Sequence, residues 1–159
     1  MRTKIVSAFP GTGKTYYTEQ ANDPGVWDSD SSVFSWSEPG IRHPDFPQNY
    51  IDHIKEGIGK CTIIFVSSHK VVRDALCKNG IHFDLVYPER DLKDEYIGRF
   101  KERGSPDKFV EFIDSNWDDF IDELDGQRSC DKIRLFTGEY IAHVRFHSMT
   151  GSTFVMREG

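Results

Sequence analysis

Short apolar runs alternate along the chain with stretches that carry helix signals. Strand-like runs lie at residues 4–8, 26–28, 61–66, 82–87 and 132–136. Helical spacing of apolar residues, or start and stop signals for helices, predicts helices at about 14–21, 48–58, 70–78, 90–103 and 105–124. This alternation is typical of an α/β domain, and the continuously apolar run at 61–66 is typical of a strand covered on both faces.

Two regions lead to more specific expectations. The prolines at 39, 44 and 47 predict a loop over residues 37–47. Ser105 and Pro106 predict the N-cap and first residue of a helix, whose apolar stripe would consist of Phe109, Phe112 or Ile113, Trp117, Phe120 and Leu124. The tail from residue 148 is weakly patterned, so its order is not predicted.

Length and composition narrow the class of protein. The 159 residues suit a single domain over 1–159, and 12 Phe, 6 Tyr and 3 Trp argue against disorder. No apolar run is long enough for a membrane span, and no signal peptide is recognised, so we expect a cytoplasmic protein. Three widely spaced cysteines fit a reducing compartment. The net charge of −6 argues against binding to bulk duplex nucleic acid.

A glycine-rich segment carries the strongest chemical signal. Residues 8–15 read AFPGTGKT and match the phosphate-loop pattern G-x-x-x-x-G-K-[ST], except that Ala8 replaces the first glycine. The nucleotide-binding residues would be Gly11, Thr12, Gly13, Lys14 and Thr15. Backbone N–H groups would surround a polyphosphate, Lys14 would reach the β- and γ-phosphates, and Thr15 would ligate Mg²⁺. The alternative is a glycine turn with a chance Lys-Thr pair.

With this motif near its start, the chain resembles the P-loop kinases that act on nucleotides and small molecules. The resemblance implies a three-layer fold, a parallel and probably five-stranded sheet, ATP and Mg²⁺ as cofactors, and a helical lid bearing arginines. Residues 88–127 would be the lid and helical insertion. The short chain also resembles kinases encoded by bacteriophages, which would place it in the host cytoplasm.

Two aspartates follow the second strand-like run. Alternation places Asp28 and Asp30 on one side if the segment stays extended. The pair resembles the Asp-x-Asp of shikimate-kinase-like enzymes, which implies that Asp28 supports Mg²⁺ and that Asp30 holds or deprotonates an acceptor hydroxyl. The alternative is a solvated turn. No carboxylate ends the third strand, where Ser67 could contact a metal-bound water.

Basic residues after the fourth strand are candidates for the lid. Arg99 and Arg103 match the lid arginines of the kinase group best, and Arg90 and Lys93 are second choices. They would stabilise charge that develops on the transferred group. The alternative is a solvated helix face with an ion pair between Glu95 and Arg99.

Recognition of the acceptor is less sharply marked. Arg73 opens the helix after the third strand, where nucleotide kinases often hold the acceptor's phosphate, and Arg42 lies in the proline-rich loop. Position in the family implies that Thr137 and Gly138 flank the adenine. The spacing of the histidines predicts no metal cluster.

These residues predict an ATP-dependent kinase whose acceptor is a nucleoside monophosphate or related nucleotide. Its catalytic residues would be Lys14, Asp30, Arg99 and Arg103. A phosphate acceptor would depend on Arg73, whereas a hydroxyl acceptor would depend on Asp30. The hydroxyl alternative covers a polynucleotide end, a hydroxymethylated pyrimidine or a small metabolite, so nucleic acid enters only as an acceptor. A non-catalytic nucleotide-binding module is the third alternative, and the oligomeric state is not predicted.

The acidity of the chain is local. Residues 105–125 contain eight acids and one base. The remaining residues are therefore close to neutral, and the acids are expected to form the solvated polar face of one helix or a partner site.

Overall fold

A computed structural model describes residues 2–149 and 152–157. In chain order its elements are β1 (Lys4–Ala8), α1 (Lys14–Ala21), β2 (Val26–Asp28), α2 (Ser32–Ser35), β3 (Trp36–Glu38), β4 (Ile41–Arg42), α3 (Gln48–Gly57), β5 (Ile63–Ser67), α4 (Lys70–Lys78), β6 (Asp84–Pro88), a 3₁₀ helix (Arg90–Leu92), α5 (Lys93–Glu102), α6 (Asp107–Asp125), β7 (Asp131–Leu135), a second 3₁₀ helix (Ile141–His143), β8 (Val144–Met149) and β9 (Ser152–Arg157).

The central sheet has five strands in the order β2-β5-β1-β6-β7. Every strand pair in it is parallel. β1 lies in the middle, where Ser7 is opposite Val66 of β5 on one side and Leu85 of β6 on the other. The predicted α/β class and the five-stranded parallel sheet are therefore confirmed.

Alternating residues of the sheet strands pack into two apolar clusters, one on each face. Ile5, Ile64 and Leu85 contribute to a large cluster that also contains apolar side chains of α3, α4, α5 and α6. Val6 and Phe65 contribute to a smaller cluster beside α1 and the second 3₁₀ helix. Because both faces are covered, the strands are apolar at consecutive positions.

The prediction of a loop over residues 37–47 is partly wrong. β3 and β4 pair there as a short antiparallel hairpin, which precedes the last two prolines. The preceding helix α2 was not predicted. Both elements are only two to four residues long, so no periodicity in the sequence could reveal them.

Helix α6 begins later than predicted, and its buried stripe matches the predicted one in part. Pro106, not Ser105, occupies the N-cap. The buried residues follow helical spacing and are Val110, Ile113, Trp117, Ile121 and Leu124, whereas Phe112 is 55% exposed. Ile113, Trp117 and Leu124 of the predicted stripe are thus buried, and Phe109 and Phe120 are partly buried against the same cluster. Val110 and Ile121 were not predicted.

Residues 88–127, predicted as lid and insertion, contribute to the large core cluster. Tyr96 of α5 and Trp117 of α6 pack around Phe9, with ring centroids 6.2 and 5.7 Å from that ring. Trp117 Nε1 also donates a hydrogen bond of 2.7 Å to the carbonyl of Arg90. Both helices thus form part of the layer that covers the sheet. No helix in the described ranges is long and apolar enough for a bilayer crossing.

Candidate functional site

The glycine-rich loop, residues 9–13, joins the carboxyl end of β1 to the first turn of α1. Gly11 and Gly13 have φ angles of 83° and 92°, the left-handed region that disfavours other residues. A Cβ on Gly11 would lie 3.0 Å from Cε1 of Phe100, and one on Gly13 would lie 3.0 Å from Cδ1 of Tyr140. Thr12 is buried and its Oγ1 donates a hydrogen bond of 2.7 Å to the Phe9 carbonyl. Glycine is therefore required at both positions for this loop.

Lys14 follows the loop as the first residue of α1. It is half-buried, lines a cleft, and its ammonium has no hydrogen-bond or ion-pair partner among the described residues. A half-buried cation without a partner is unfavourable, so an anion in the cleft would complete its environment. The positive end of the α1 dipole lies at the same place.

Thr15 and Asp28, predicted as the metal ligands, lie together. The Thr15 Oγ1 donates a hydrogen bond of 2.9 Å to Oδ2 of Asp28, which ends β2. Both side chains are exposed. A hydroxyl and a carboxylate oxygen are hard donors of the type that Mg²⁺ prefers, so these two residues fit the ion.

A cleft of about 660 Å³ lies over the glycine-rich loop, between the carboxyl end of β5 and helix α5. Its charged lining residues are three cations, Lys14, Arg99 and Arg103, and two acids, Asp30 and Glu102. The cleft is therefore basic on balance, although the chain as a whole is acidic.

Arg99 lines this cleft but is largely occupied by the protein itself. Its Nη1 donates a hydrogen bond of 2.8 Å to the Gly11 carbonyl, and its Nη2 donates to Glu95 at 2.9 Å and to the Glu139 carbonyl at 3.1 Å. The guanidinium also lies between the rings of Tyr96 and Tyr140, 4.3 and 3.9 Å from their centroids. Arg99 thus ties α5 to the loop, and the predicted Glu95–Arg99 ion pair is present.

Arg103 faces the cleft with fewer ties. Its Nε donates a hydrogen bond of 3.0 Å to the Ser105 Oγ, and its guanidinium lies 4.9 Å from the Phe100 ring centroid. In the described part of the chain no carboxylate lies within 4.0 Å of it. Burial lowers the pKa of the Arg103 guanidinium below its ordinary value. Of the two predicted lid arginines, this one retains donors for a ligand.

The other two lid candidates are occupied elsewhere. Arg90 pairs with Asp118 at 3.3 Å and also with Asp122. Lys93 pairs with Asp114 at 2.7 Å. All three partners belong to α6, so these cations neutralise that helix, and neither Arg90 nor Lys93 lines the cleft.

Asp30 lies where the cleft meets a second cavity of about 360 Å³. The segment is not extended as expected, because β2 ends at Asp28 and the Oδ1 of Asp30 accepts a hydrogen bond of 2.9 Å from the Ser32 N–H. The side chain is nevertheless exposed to both cavities. A group bound in either cavity could therefore contact the Asp30 carboxylate.

The second cavity combines aromatic and basic side chains. Arg42 lies over the Trp36 ring at 4.4 Å from its centroid and over the Phe46 ring at 5.7 Å. Lys70 and His69 also line this cavity. A ligand in the second cavity could therefore contact Arg42.

Buried hydroxyls hold the strand ends beneath Asp30. Ser67, which ends β5, donates a hydrogen bond of 2.7 Å to the Ser31 hydroxyl and accepts one of 3.2 Å from the Ser31 N–H. The Tyr50 hydroxyl donates to the Ser29 carbonyl at 2.6 Å. Burial raises the pKa of Tyr50 above its ordinary value, so the phenol remains a donor. These contacts fix the backbone on both sides of Asp30.

Arg73 is not part of either cavity, contrary to its predicted role with the acceptor. Its side chain is 1% exposed and pairs bidentately with Glu123 of α6. Its Nε donates a hydrogen bond of 2.7 Å to the Ser68 carbonyl, and its Nη1 donates to Gln127 at 2.5 Å. The guanidinium is therefore committed to joining α4 to α6.

Thr137 and Gly138, predicted near the adenine, are exposed and lie outside the two cavities. Thr137 Oγ1 donates a hydrogen bond of 2.8 Å to Oε1 of Glu95, and the Gly138 N–H donates to the same carboxylate at 3.2 Å. Tyr140, two residues further on, lines the cleft. Glu95 thus fixes this loop relative to α5.

His69 is a cleft residue that the sequence analysis did not select. It lies two residues after the end of β5 and lines both cavities. Burial lowers the pKa of its imidazole below the ordinary value, and the Lys14 ammonium lowers it further. Its place after a buried strand, where parallel strands present their carboxyl ends to ligands, was the signal that could have identified it.

A scan of the sequence against models of known protein families and a search of curated proteins give no match.

Proposed function

We propose that the protein is an ATP-dependent phosphotransferase. The observation that carries this proposal is the glycine-rich loop at the carboxyl end of the central strand, with left-handed Gly11 and Gly13 and an unpartnered Lys14 beneath the cleft. Backbone N–H groups of such a loop and the N-terminus of the following helix bind phosphates. The parallel strand order β2-β5-β1-β6-β7 supports a P-loop kinase fold.

The donor nucleotide would place its phosphates over the glycine-rich loop. Lys14 and Arg103 would neutralise charge on the transferred group, while Arg99 would hold the Gly11 carbonyl and so fix the loop. Thr15 and Asp28 would hold Mg²⁺. The ion would neutralise negative charge on the phosphates of the donor.

The geometry favours a hydroxyl group as the acceptor. Asp30 offers a carboxylate at the meeting point of the two cavities, whereas Arg73, the residue on which a phosphate acceptor would depend, is saturated by Glu123. Asp30 would accept the proton of the acceptor hydroxyl while the hydroxyl oxygen bonds to the γ-phosphorus of ATP. The bond between that phosphorus and the bridging oxygen breaks, and ADP leaves.

A nucleoside monophosphate is the second candidate acceptor. The basis for it is the second cavity, where Arg42 supplies positive charge beside the Trp36 ring. Lys70, which pairs with Asp74, also lines this cavity. Such a wall could accommodate a base and its phosphate. In that case the acceptor oxygen is already ionised, and Asp30 is not needed as a base.

Release of ADP, measured with a panel of hydroxyl compounds, short oligonucleotides and nucleoside monophosphates, tests these proposals. Lys14→Ala should abolish turnover on every acceptor, and Lys108→Ala, an exposed lysine on α6, is its control. Asp30→Asn should lower kcat on the best hydroxyl acceptor by about 10²–10⁴-fold, with the exposed Asp91→Asn as control.

Each outcome has a distinct meaning. Turnover of Asp30→Asn within a few-fold of the parent on a hydroxyl acceptor would exclude Asp30 as the base. Activity confined to nucleoside monophosphates and retained in Asp30→Asn would establish the second candidate. Binding of ATP without acceptor-dependent ADP release on any member of the panel would leave a nucleotide-binding module and refute the phosphotransferase.

A further inference from the structure

A second cluster of ionisable side chains lies at the opposite end of the sheet from the cleft. Asp84 is the first residue of β6, and Asp131 is the first residue of β7. The two residues are paired in the parallel register, and His82 lies two residues before Asp84. The cluster is therefore built where these strands begin, and the cleft lies where the strands end.

The three side chains converge. The Nε2 of His82 lies 3.2 Å from Oδ2 of Asp131 and 3.9 Å from Oδ1 of Asp84. One ligand-type atom from each residue lies within 4.8 Å of the others. Ligands about 2.0–2.2 Å from a tetrahedral zinc ion are separated by about 3.3–3.6 Å. The pair of His82 and Asp131 is already close to that spacing, and the Asp84 carboxylate would move toward both of them on binding.

Asp84 gives an independent reason to expect a cation. Its side chain is fully buried, and its Oδ1, which faces His82, has no hydrogen-bond donor in the described part of the chain. Its Oδ2 lies 3.0 Å from the ammonium of Lys4. A buried carboxylate oxygen without a donor is costly, and a metal ion beside His82 would remove that cost.

We propose that His82, Asp84 and Asp131 form a zinc-binding site. The imidazole nitrogen favours Zn²⁺ over Mg²⁺, which prefers oxygen ligands and retains its water. His82 is 48% exposed, which provides a path for the ion and leaves a position for water. Bound zinc would join the first residues of β6 and β7 to the segment before β6.

Lys4 opposes the ion and supplies a directional test. Its positive charge lies at the same carboxylate that would bind zinc. Because like charges repel strongly at partly buried positions, Lys4→Met should tighten zinc binding by about tenfold. The substitution also leaves Asp84 without its ammonium, so zinc should raise the melting temperature of Lys4→Met more than that of the parent.

Titration calorimetry and thermal unfolding with ZnCl₂ test the site in protein without nucleotide. The protein carries Cys77→Ser, because the exposed thiol of Cys77 could itself bind zinc. We expect one zinc ion per chain at this site and a rise in Tm of about 3 °C at ten times Kd. In protein that also carries Asp28→Asn, and so lacks the carboxylate of the cleft metal site, MgCl₂ should give no such rise. His82→Ala and Asp131→Asn should each weaken binding by at least about tenfold, whereas His43→Ala, outside the cluster, should not.

Asp28→Asn distinguishes zinc binding at His82, Asp84 and Asp131 from zinc binding at the metal site of the cleft. This substitution should leave the zinc affinity of the His82 cluster unchanged. The proposal is overturned if zinc produces no saturable binding, or if His82→Ala and Asp131→Asn bind it as tightly as the parent. It is also overturned if Lys4→Met is folded and binds zinc no more tightly than the parent.

Discussion

The contact between Arg73 and Glu123 leads to a quantitative prediction about stability. Arg73 is 1% exposed and Glu123 is 36% exposed. Glu123→Leu should leave the guanidinium buried with only neutral acceptors and should cost about 3–5 kcal/mol of unfolding free energy. Arg73→Met should cost less, about 1–3 kcal/mol, because the carboxylate left behind can turn to solvent.

The double variant measures the interaction energy between Arg73 and Glu123 separately from the cost of each single substitution. Arg73→Met combined with Glu123→Leu replaces the ion pair by apolar side chains, so the two single costs should not add, and we expect a coupling energy of about 2–3 kcal/mol. In a chain of this length, Glu123→Leu should lower Tm by about 6–20 °C. Asp74→Ala, which removes an exposed ion pair with Lys70 on the same helix, should change stability by less than about 1 kcal/mol.

Urea and thermal unfolding measure the four free energies, and acceptor kinetics are measured at a temperature where each variant is folded. We expect the KM for acceptor in Arg73→Met to stay within a few-fold of the parent. A coupling energy below about 0.5 kcal/mol would refute the structural role. A stable Arg73→Met with a selectively raised acceptor KM would show that Arg73 contacts the substrate after all.

Two further predictions concern the loop and alkaline pH. Gly13→Ala should weaken binding of a fluorescent ATP analogue by more than about tenfold. A left-handed alanine costs about 1–2 kcal/mol, and its Cβ would lie 3.0 Å from the Tyr140 ring. Gly59→Ala is the control and should bind the analogue normally, because Gly59 has a φ of 88° but open space around it. Burial, and then a hydrogen bond to Asp125, raise the pKa of Tyr87 from 10 to about 12, so its stabilisation is complete below pH 10 and is lost as pH rises from about 10 to about 12. Tm should fall across that window, and less steeply in Tyr87→Phe; equal slopes would contradict the assignment.

The sheet was predictable because its strands are covered on both faces. Apolar side chains at consecutive positions, such as Ile64 and Phe65, serve the two clusters separately and leave a continuous signal in the sequence. The hairpin of β3 and β4 was not predictable, because its pairing joins only a few residues around a glycine turn. Its position matters, since Trp36 and Arg42 form one wall of the second cavity.

The glycine-rich loop was predictable for a different reason: its chemistry is contained in one short segment. The roles of the arginines were not contained in any segment. Arg73 meets Glu123 from 50 residues away, and Arg99 meets the Gly11 carbonyl from 88 residues away. Position after a strand therefore indicated which arginines were near the carboxyl edge, but only the packing of α6 against α4 and α5 decides which of them a ligand can reach.

The acidic helix and the basic cleft are two aspects of one charge arrangement. α6 pairs with cations that follow β5 and β6, namely Arg73, Arg90 and Lys93. Lys14 and Arg103 have no carboxylate partner in the described part of the chain, and they line the cleft. α6 therefore neutralises cations outside the cleft, whereas the cations that line the cleft outnumber its acids. The net charge of −6 describes the whole chain and does not describe the lining of the cleft.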